Sequence, residues 1–140
     1  MRSLKLLLAL FLVTCFKTVA GAQDTTQMAK IYFVRSTGYE GSLLVFHCFV
    51  DSTLMCVLNN DQYSTHFVMP GDHQLNVTAH SKSLSNQNKA LSISVAAGQS
   101  YYIKIFPVKG YDNKVKIMSV AETTIRPVLA KCELKTNCIQ

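Results

Sequence analysis

Apolar and polar side chains alternate without a break over residues 73–80. Leu75, Val77 and Ala79 fall on one face, and Gln74, Asn76, Thr78 and His80 on the other. Period-two alternation predicts a strand buried on one side. Residues 89–95 repeat the pattern through Leu91, Ile93 and Val95. Ile31, Tyr32, Phe33 and Val34 mark a strand over 29–35. Residues 43–50 are apolar on both faces, which predicts an interior strand or one covered by another element. Further strands are predicted over 54–58, 62–69, 99–108 and 114–120.

The punctuation between these runs is turn chemistry. In Met69-Pro70-Gly71-Asp72, Pro presets φ at the second turn position and Gly supplies positive φ at the third, which predicts a tight reversal. Gly98 centres a second turn. Asp51-Ser52-Thr53, Asn59-Asn60-Asp61 and residues 109–113 read as further turns. Residues 36–42, with Gly38 and Gly41, and the polar run 81–88 read as loops. After Val120 the period changes: Val128, Leu129 and Cys132 stand at helical spacing, and Pro127 suits the first turn of a helix. A helix of about two turns starting near Pro127 is predicted. The fold class that follows is all-β: an antiparallel β-sandwich of about eight strands with a short C-terminal helix.

The N-terminus reads as an address rather than as structure. Arg2 and Lys5 precede the apolar run 6–16, and Ala20-Gly21-Ala22 has the small-x-small form of a signal-peptidase site. Residues 1–22 are therefore expected to be a secretory signal peptide, too short for a membrane span. Residues 23–28 form a polar lead-in, and 29–140 one sandwich domain with its helix and tail. Lipoprotein anchoring at Cys15 is the competing reading, and Thr14 fits it poorly because a small residue is wanted before the cysteine. Removing Arg2, Lys5 and Lys17 from the 14 basic residues leaves 11 against 8 acidic, a net +3. That is ordinary solubility charge and gives no ground for nucleic-acid binding.

Four cysteines remain after the signal, an even number in an exported chain, which predicts disulfides in the periplasm or outside the cell. A reversal at Asp51-Ser52-Thr53 sets Cys48 opposite Cys56, within bridging range. Cys132 and Cys138 are close enough in sequence to close a small loop. Four cysteines allow three pairings, and a one-residue change of register would move Cys48 opposite Val57.

Four motifs in order resemble an exported bacterial family catalogued as a domain of unknown function (number 2846). They are Ala29-Lys30-Ile31-Tyr32-Phe33-Val34-Arg35, the hairpin at Val50-Asp51-Ser52, Tyr63 with Pro70-Gly71-Asp72-His73, and Ala97-Gly98-Gln99-Ser100-Tyr101-Tyr102-Ile103. The resemblance spans roughly residues 29–134. It departs at Ser52, where Gly is usual, and in a signal unlike that of the many lipoprotein relatives. It implies a sandwich similar to carboxypeptidase-regulatory and PEGA-type modules, and it implies no activity.

Candidate chemistry is sparse. His66, Met69 and His73 flank the Pro-Gly turn, with His47, Cys48 and His80 elsewhere, and Met, His and Cys together suit a copper-like metal. No H-x-x-x-H or C-x-x-C spacing reinforces that reading, and turn chemistry and core packing account for the same residues. The absence of C-x-x-C also favours structural disulfides over catalytic thiols. There is no G-x-S-x-G, and Asp51, Asp61, Asp72 and Glu122 sit at predicted turns or ends, where carboxylates bond local backbone. Arg35 is expected to pair with a carboxylate rather than with an anionic ligand. Tyr101 and Tyr102 point to opposite faces, one toward the core and the other a possible surface anchor. Lys104, Lys109, Lys114 and Lys116 along the last hairpin read as edge protection.

The expected function is a non-enzymatic, exported interaction module of the envelope. It needs no cofactor, and its partner is a protein or glycan. The candidate surface is the loops 38–42, 81–88 and 109–113, or a sheet edge. The alternative is a periplasmic carrier of a small ligand or metal, using Met69 and the histidines.

Overall fold

A computed structural model describes residues 27–39, 41–79, 90–109 and 114–138. The predicted signal peptide, His80, the loop 81–88 and most of the turn 109–113 lie outside the described residues. The described chain is a two-sheet, all-β sandwich with one short helix. Its elements are β1 (Ala29–Arg35), β2 (Phe46–Val50), β3 (Thr53–Leu58), β4 (Gln62–Val68), β5 (Gly71–Ala79), β6 (Leu91–Val95), β7 (Ser100–Pro107), β8 (Val115–Val120), α1 (Glu122–Leu129) and β9 (Glu133–Leu134). One sheet has the order β8-β7-β1-β4-β9, the other β3-β2-β5-β6.

The eight predicted strands are all present, and the topology adds two features. First, the sheets are not wholly antiparallel: β1 runs parallel to β7, and β9 parallel to β4. Second, the Pro70-Gly71 reversal does not make a hairpin. It carries the chain from β4 in one sheet to β5 in the other, with Gly71 at φ +139°. The Asn59–Asp61 turn makes the same crossing between β3 and β4. These corners stack the two sheets and enclose a core that includes Ile31, Phe33, Phe46, Leu58, Leu75 and Ile103, all fully buried.

Three local expectations are corrected. Residues 43–45 do not extend β2, because Leu44 N–H bonds the Gly41 carbonyl at 3.0 Å and curls this segment into a turn. Leu43 is left 93% exposed. The helix begins at Glu122, not near Pro127, which instead lies in its second half. The missing Pro N–H is tolerated because the helix is held by tertiary packing. Ile125 is fully buried against Val34 and Tyr102 on the outer face of the five-stranded sheet. The β2–β3 hairpin turns on two residues rather than three: Val50 pairs with Thr53, and Asp51 and Ser52 both take positive φ. A bulge at Met55 then restores Cys48 opposite Cys56.

The cysteine pairing is also corrected. The disulfide joins Cys56 to Cys138, with Cα atoms 4.6 Å apart, while Cys48 and Cys132 are free thiols. The predicted Cys48–Cys56 and Cys132–Cys138 bridges do not form. The reason lies in β9, which pairs with the β4 edge and leads the tail toward β3, where Cys138 meets Cys56. Cys132 is directed elsewhere, its thiol donating to the Arg35 carbonyl at 3.7 Å.

Candidate functional site

Two places gather the residues with chemical potential. The first is the end of the sandwich where β1 stops. Arg35 is fully buried, and among the described residues no carboxylate bonds it. Its guanidinium lies over the Phe46 ring at 4.0 Å and donates to the carbonyls of Leu58 at 2.6 Å, Gly41 at 2.8 Å and Ser42 at 3.4 Å. The expected carboxylate partner is thus replaced by backbone oxygens. Burial draws the guanidinium down to about 10, which leaves it charged at neutral pH. Its geometry suits this task, because a planar fork reaches β3 and the loop together.

The loop held by Arg35 is fixed from a second side. Asn60 Oδ1 accepts from Thr37 N–H at 3.0 Å and from Thr37 Oγ1 at 2.8 Å. Gly41, at φ +72°, packs so closely on Pro107 that an added Cβ would come within 3.0 Å of its ring. On this anchored base Tyr39 and Leu43 stand 97% and 93% exposed. Beside the loop, Ser36, Thr37, Lys104, Phe106, Pro107 and Met118 border a shallow cavity of about 350 Å³.

The second place is the β3–β4 edge. Cys56, Cys138 and His66 each offer a ligand atom, and these atoms lie within 4.8 Å of one another. His66 is buried, bonds Ser64 Oγ at 2.9 Å, and burial lowers its pKa, so the ring is neutral at ordinary pH. A cavity of about 430 Å³ opens here, lined by Met55, Thr65, His66, Leu134, Lys135 and Cys138.

The remaining predicted residues have structural work. His73 bonds Asp51 Oδ2 through Nδ1 at 2.6 Å and the Met69 carbonyl through Nε2 at 2.7 Å. Both partners accept only, so the arrangement is complete when both ring nitrogens carry protons, and it favours the imidazolium. The Met69 carbonyl and Asp51 raise the His73 pKa, and bonds from Gln74 N–H and His73 lower that of Asp51. Both nitrogens of His73 are engaged, and among the described residues the cluster of metal-ligating side chains that includes a histidine is built on His66 and not on His73. Tyr102, Tyr32 and Tyr63 stack across β7, β1 and β4, with centroids 4.6 and 6.5 Å apart. Helix α1 covers part of this row. Tyr101 turns to the opposite face, where its hydroxyl accepts Ala96 N–H at 2.9 Å. Neither Tyr101 nor Tyr102 is therefore a surface anchor. Gly98, at φ +70°, forms the turn before them and donates to the Met28 carbonyl.

Burial raises the pKa of both free thiols, Cys48 the more strongly, so neither is poised as a nucleophile. Sequence reasoning missed the Cys56–His66–Cys138 group because its members come from two sheets and a tail. Alternation along β4 did hold half of the signal, since it sets Ser64, His66 and Val68 on one face. Among the described residues, no helix is long and apolar enough to cross a membrane. No protein-family model matches the chain, and neither does any curated protein sequence.

Proposed function

We propose that this protein is a non-enzymatic, exported binding module whose loop 36–45 engages a protein partner in the cell envelope. The observation that carries this reading is the pair Tyr39 and Leu43, displayed on a loop whose base is fixed by a buried arginine. Large apolar side chains on a pre-ordered loop bind without a large ordering cost, and aromatic anchors contribute heavily to interfaces. Leu43 favours a protein surface over a glycan, because an aliphatic side chain offers sugars no stacking face.

Export is supported by the apolar N-terminal run with its Ala20-Gly21-Ala22 site and by a disulfide that suits an oxidising compartment. The four motifs shared with the family of unknown function fit the same reading. Pro70, Gly71, His73 and Gly98 shape turns, Tyr32, Tyr63 and Tyr102 pack beside the helix, and Arg35 anchors the loop.

The test is affinity capture from envelope extracts with the wild-type protein and with Tyr39→Ser/Leu43→Ser. The wild type should retain a protein that the double variant loses, with an unchanged thermal midpoint. Equal capture by both, or capture of polysaccharide alone, would refute the reading.

A further inference from the structure

We infer that the Cys56–Cys138 disulfide is one state of a redox-controlled metal site. In its reduced form Cys56, Cys138 and His66 bind a soft divalent cation of the zinc class. This goes beyond the binding-module reading and concerns the β3–β4 edge rather than loop 36–45.

Three observations converge. The two sulfurs and one imidazole nitrogen already lie within 4.8 Å of one another. A thiolate–zinc bond is about 2.3 Å long, so two thiolates on one zinc stand about 3.8 Å apart. The sulfurs need only separate from bonding contact to that distance. The freedom for this lies in the tail, since Cys138 follows the two-residue β9 on a segment without regular structure. The imidazole belongs to the rigid side of the site. His66 sits in the middle of β4, is buried, and is oriented by Ser64 at 2.9 Å. A ring so held is pre-set for ligation. Finally, the group borders a cavity of about 430 Å³, which leaves room for a fourth ligand such as water. Two thiolates and one histidine with an open position make a known zinc coordination set.

The chemistry balances with a dithiol as reductant. The dithiol gives two electrons and two protons to the S–S bond and becomes a disulfide, leaving Cys56 and Cys138 as thiols. Zinc then displaces the two thiol protons and takes one lone pair from His66. In the reverse direction a partner disulfide takes the two electrons, and two protons from solvent, to become a dithiol, the two thiolates close to the Cys56–Cys138 bond, and the metal is released.

Zinc protection against alkylation tests this without first altering the protein. The protein is reduced with a phosphine, given one equivalent of Zn²⁺, treated with iodoacetamide, and mapped by mass spectrometry. Zinc should protect Cys56 and Cys138 but not Cys132, and native mass spectrometry should show one zinc on the reduced protein and none on the oxidised one. His66→Gln keeps the size of the side chain and should weaken zinc binding by on the order of 100-fold. With Co²⁺ in place of zinc, the reduced protein should show the thiolate charge-transfer bands of a four-coordinate ion. Equal alkylation with and without zinc would overturn the inference. So would zinc binding unchanged in His66→Gln, or a reduced protein whose far-ultraviolet circular dichroism is lost and not restored by zinc.

Discussion

The two ends of the sandwich are each tied by charged side chains, but the ties are opposite in kind. At one end, Arg35 is buried, bonds no carboxylate among the described residues, and ties loop 36–45 to β3 through the carbonyls of Gly41, Ser42 and Leu58. At the other, His73 and Asp51 pair at the surface and bridge the β2–β3 turn to the β4–β5 corner. A buried guanidinium keeps its charge over the whole working pH range and is little screened by salt. An exposed imidazolium–carboxylate pair is screened and survives only within a pH window. Rigidity at the first end is therefore unconditional, which suits a loop that displays apolar side chains. At the second end it is conditional and serves only to close a corner.

The sharpest way to break this contrast is to remove the buried tie. Arg35→Ala leaves three carbonyls without their donor and a cavity under Phe46, and should cost about 4 kcal/mol in urea unfolding. Arg35→Lys keeps the charge but loses the fork, so about half that loss is expected. If Arg35→Lys matched the wild type, charge rather than geometry would be the tie. Gly41→Ala attacks the same loop from its far side. It places an L-residue at φ +72° and drives a Cβ toward Pro107, which should cost about 2 kcal/mol. Capture through Tyr39 and Leu43 should weaken in step, because the displayed pair would lose its fixed base.

How far each end could be read from sequence follows from the same physics. Alternation and short apolar runs together located every described strand of five residues or more, because the pleat imposes period two locally and a strand covered on both sides loses it. They did not find β9, whose two residues carry no period. Pro70-Gly71 was legible as a reversal, but not as a corner between sheets, since turn chemistry fixes local φ and ψ and not the destination of the chain. Arg35 was picked out by its motif, yet its carbonyl acceptors were invisible. Leu58, Gly41 and Ser42 act through backbone oxygens, which every residue has. The cysteines show the limit most clearly. The Cys48–Cys56 register was read correctly, through a two-residue turn and a bulge that were not foreseen. The bond went instead to Cys138, because β9 steers the tail.

The exposed tie should reveal itself by pH. His73 has its pKa raised on folding, so its contribution is full below about 6.5, the unfolded value, and fades as pH rises through the higher folded value. Asp51 has its pKa lowered, so its contribution is full above about 3.9 and fades as pH falls through the lower folded value. The tie is therefore strongest between these limits. Asp51→Ala should cost about 1 kcal/mol there, a figure kept low because the carboxylate is half exposed. The difference between variant and wild type should shrink above neutrality. Arg35→Ala should show a loss independent of pH across the same range. A parallel pH dependence in both variants would abolish the distinction between the two ends.

The smallest effect lies in the turn that carries Asp51. Asp51 and Ser52 both take positive φ, +48° and +68°, as a two-residue hairpin turn of this hand requires. Asp51 repays that strain through its bonds to His73 and Gln74 N–H. Ser52 is exposed. An L-residue in the left-handed region costs about 1–2 kcal/mol. Glycine relieves that cost but gives the unfolded chain about 0.5–1 kcal/mol of extra freedom. Ser52→Gly should therefore stabilise the fold by about 0.5 kcal/mol, read as a small rise in urea midpoint at constant slope. The gain should persist in the Asp51→Ala background, because backbone strain and the ion pair are separate terms. If it vanished there, the strained turn would itself be maintained by the His73–Asp51 pair, and the conditional end would be a single cooperative unit rather than a turn with a tie added.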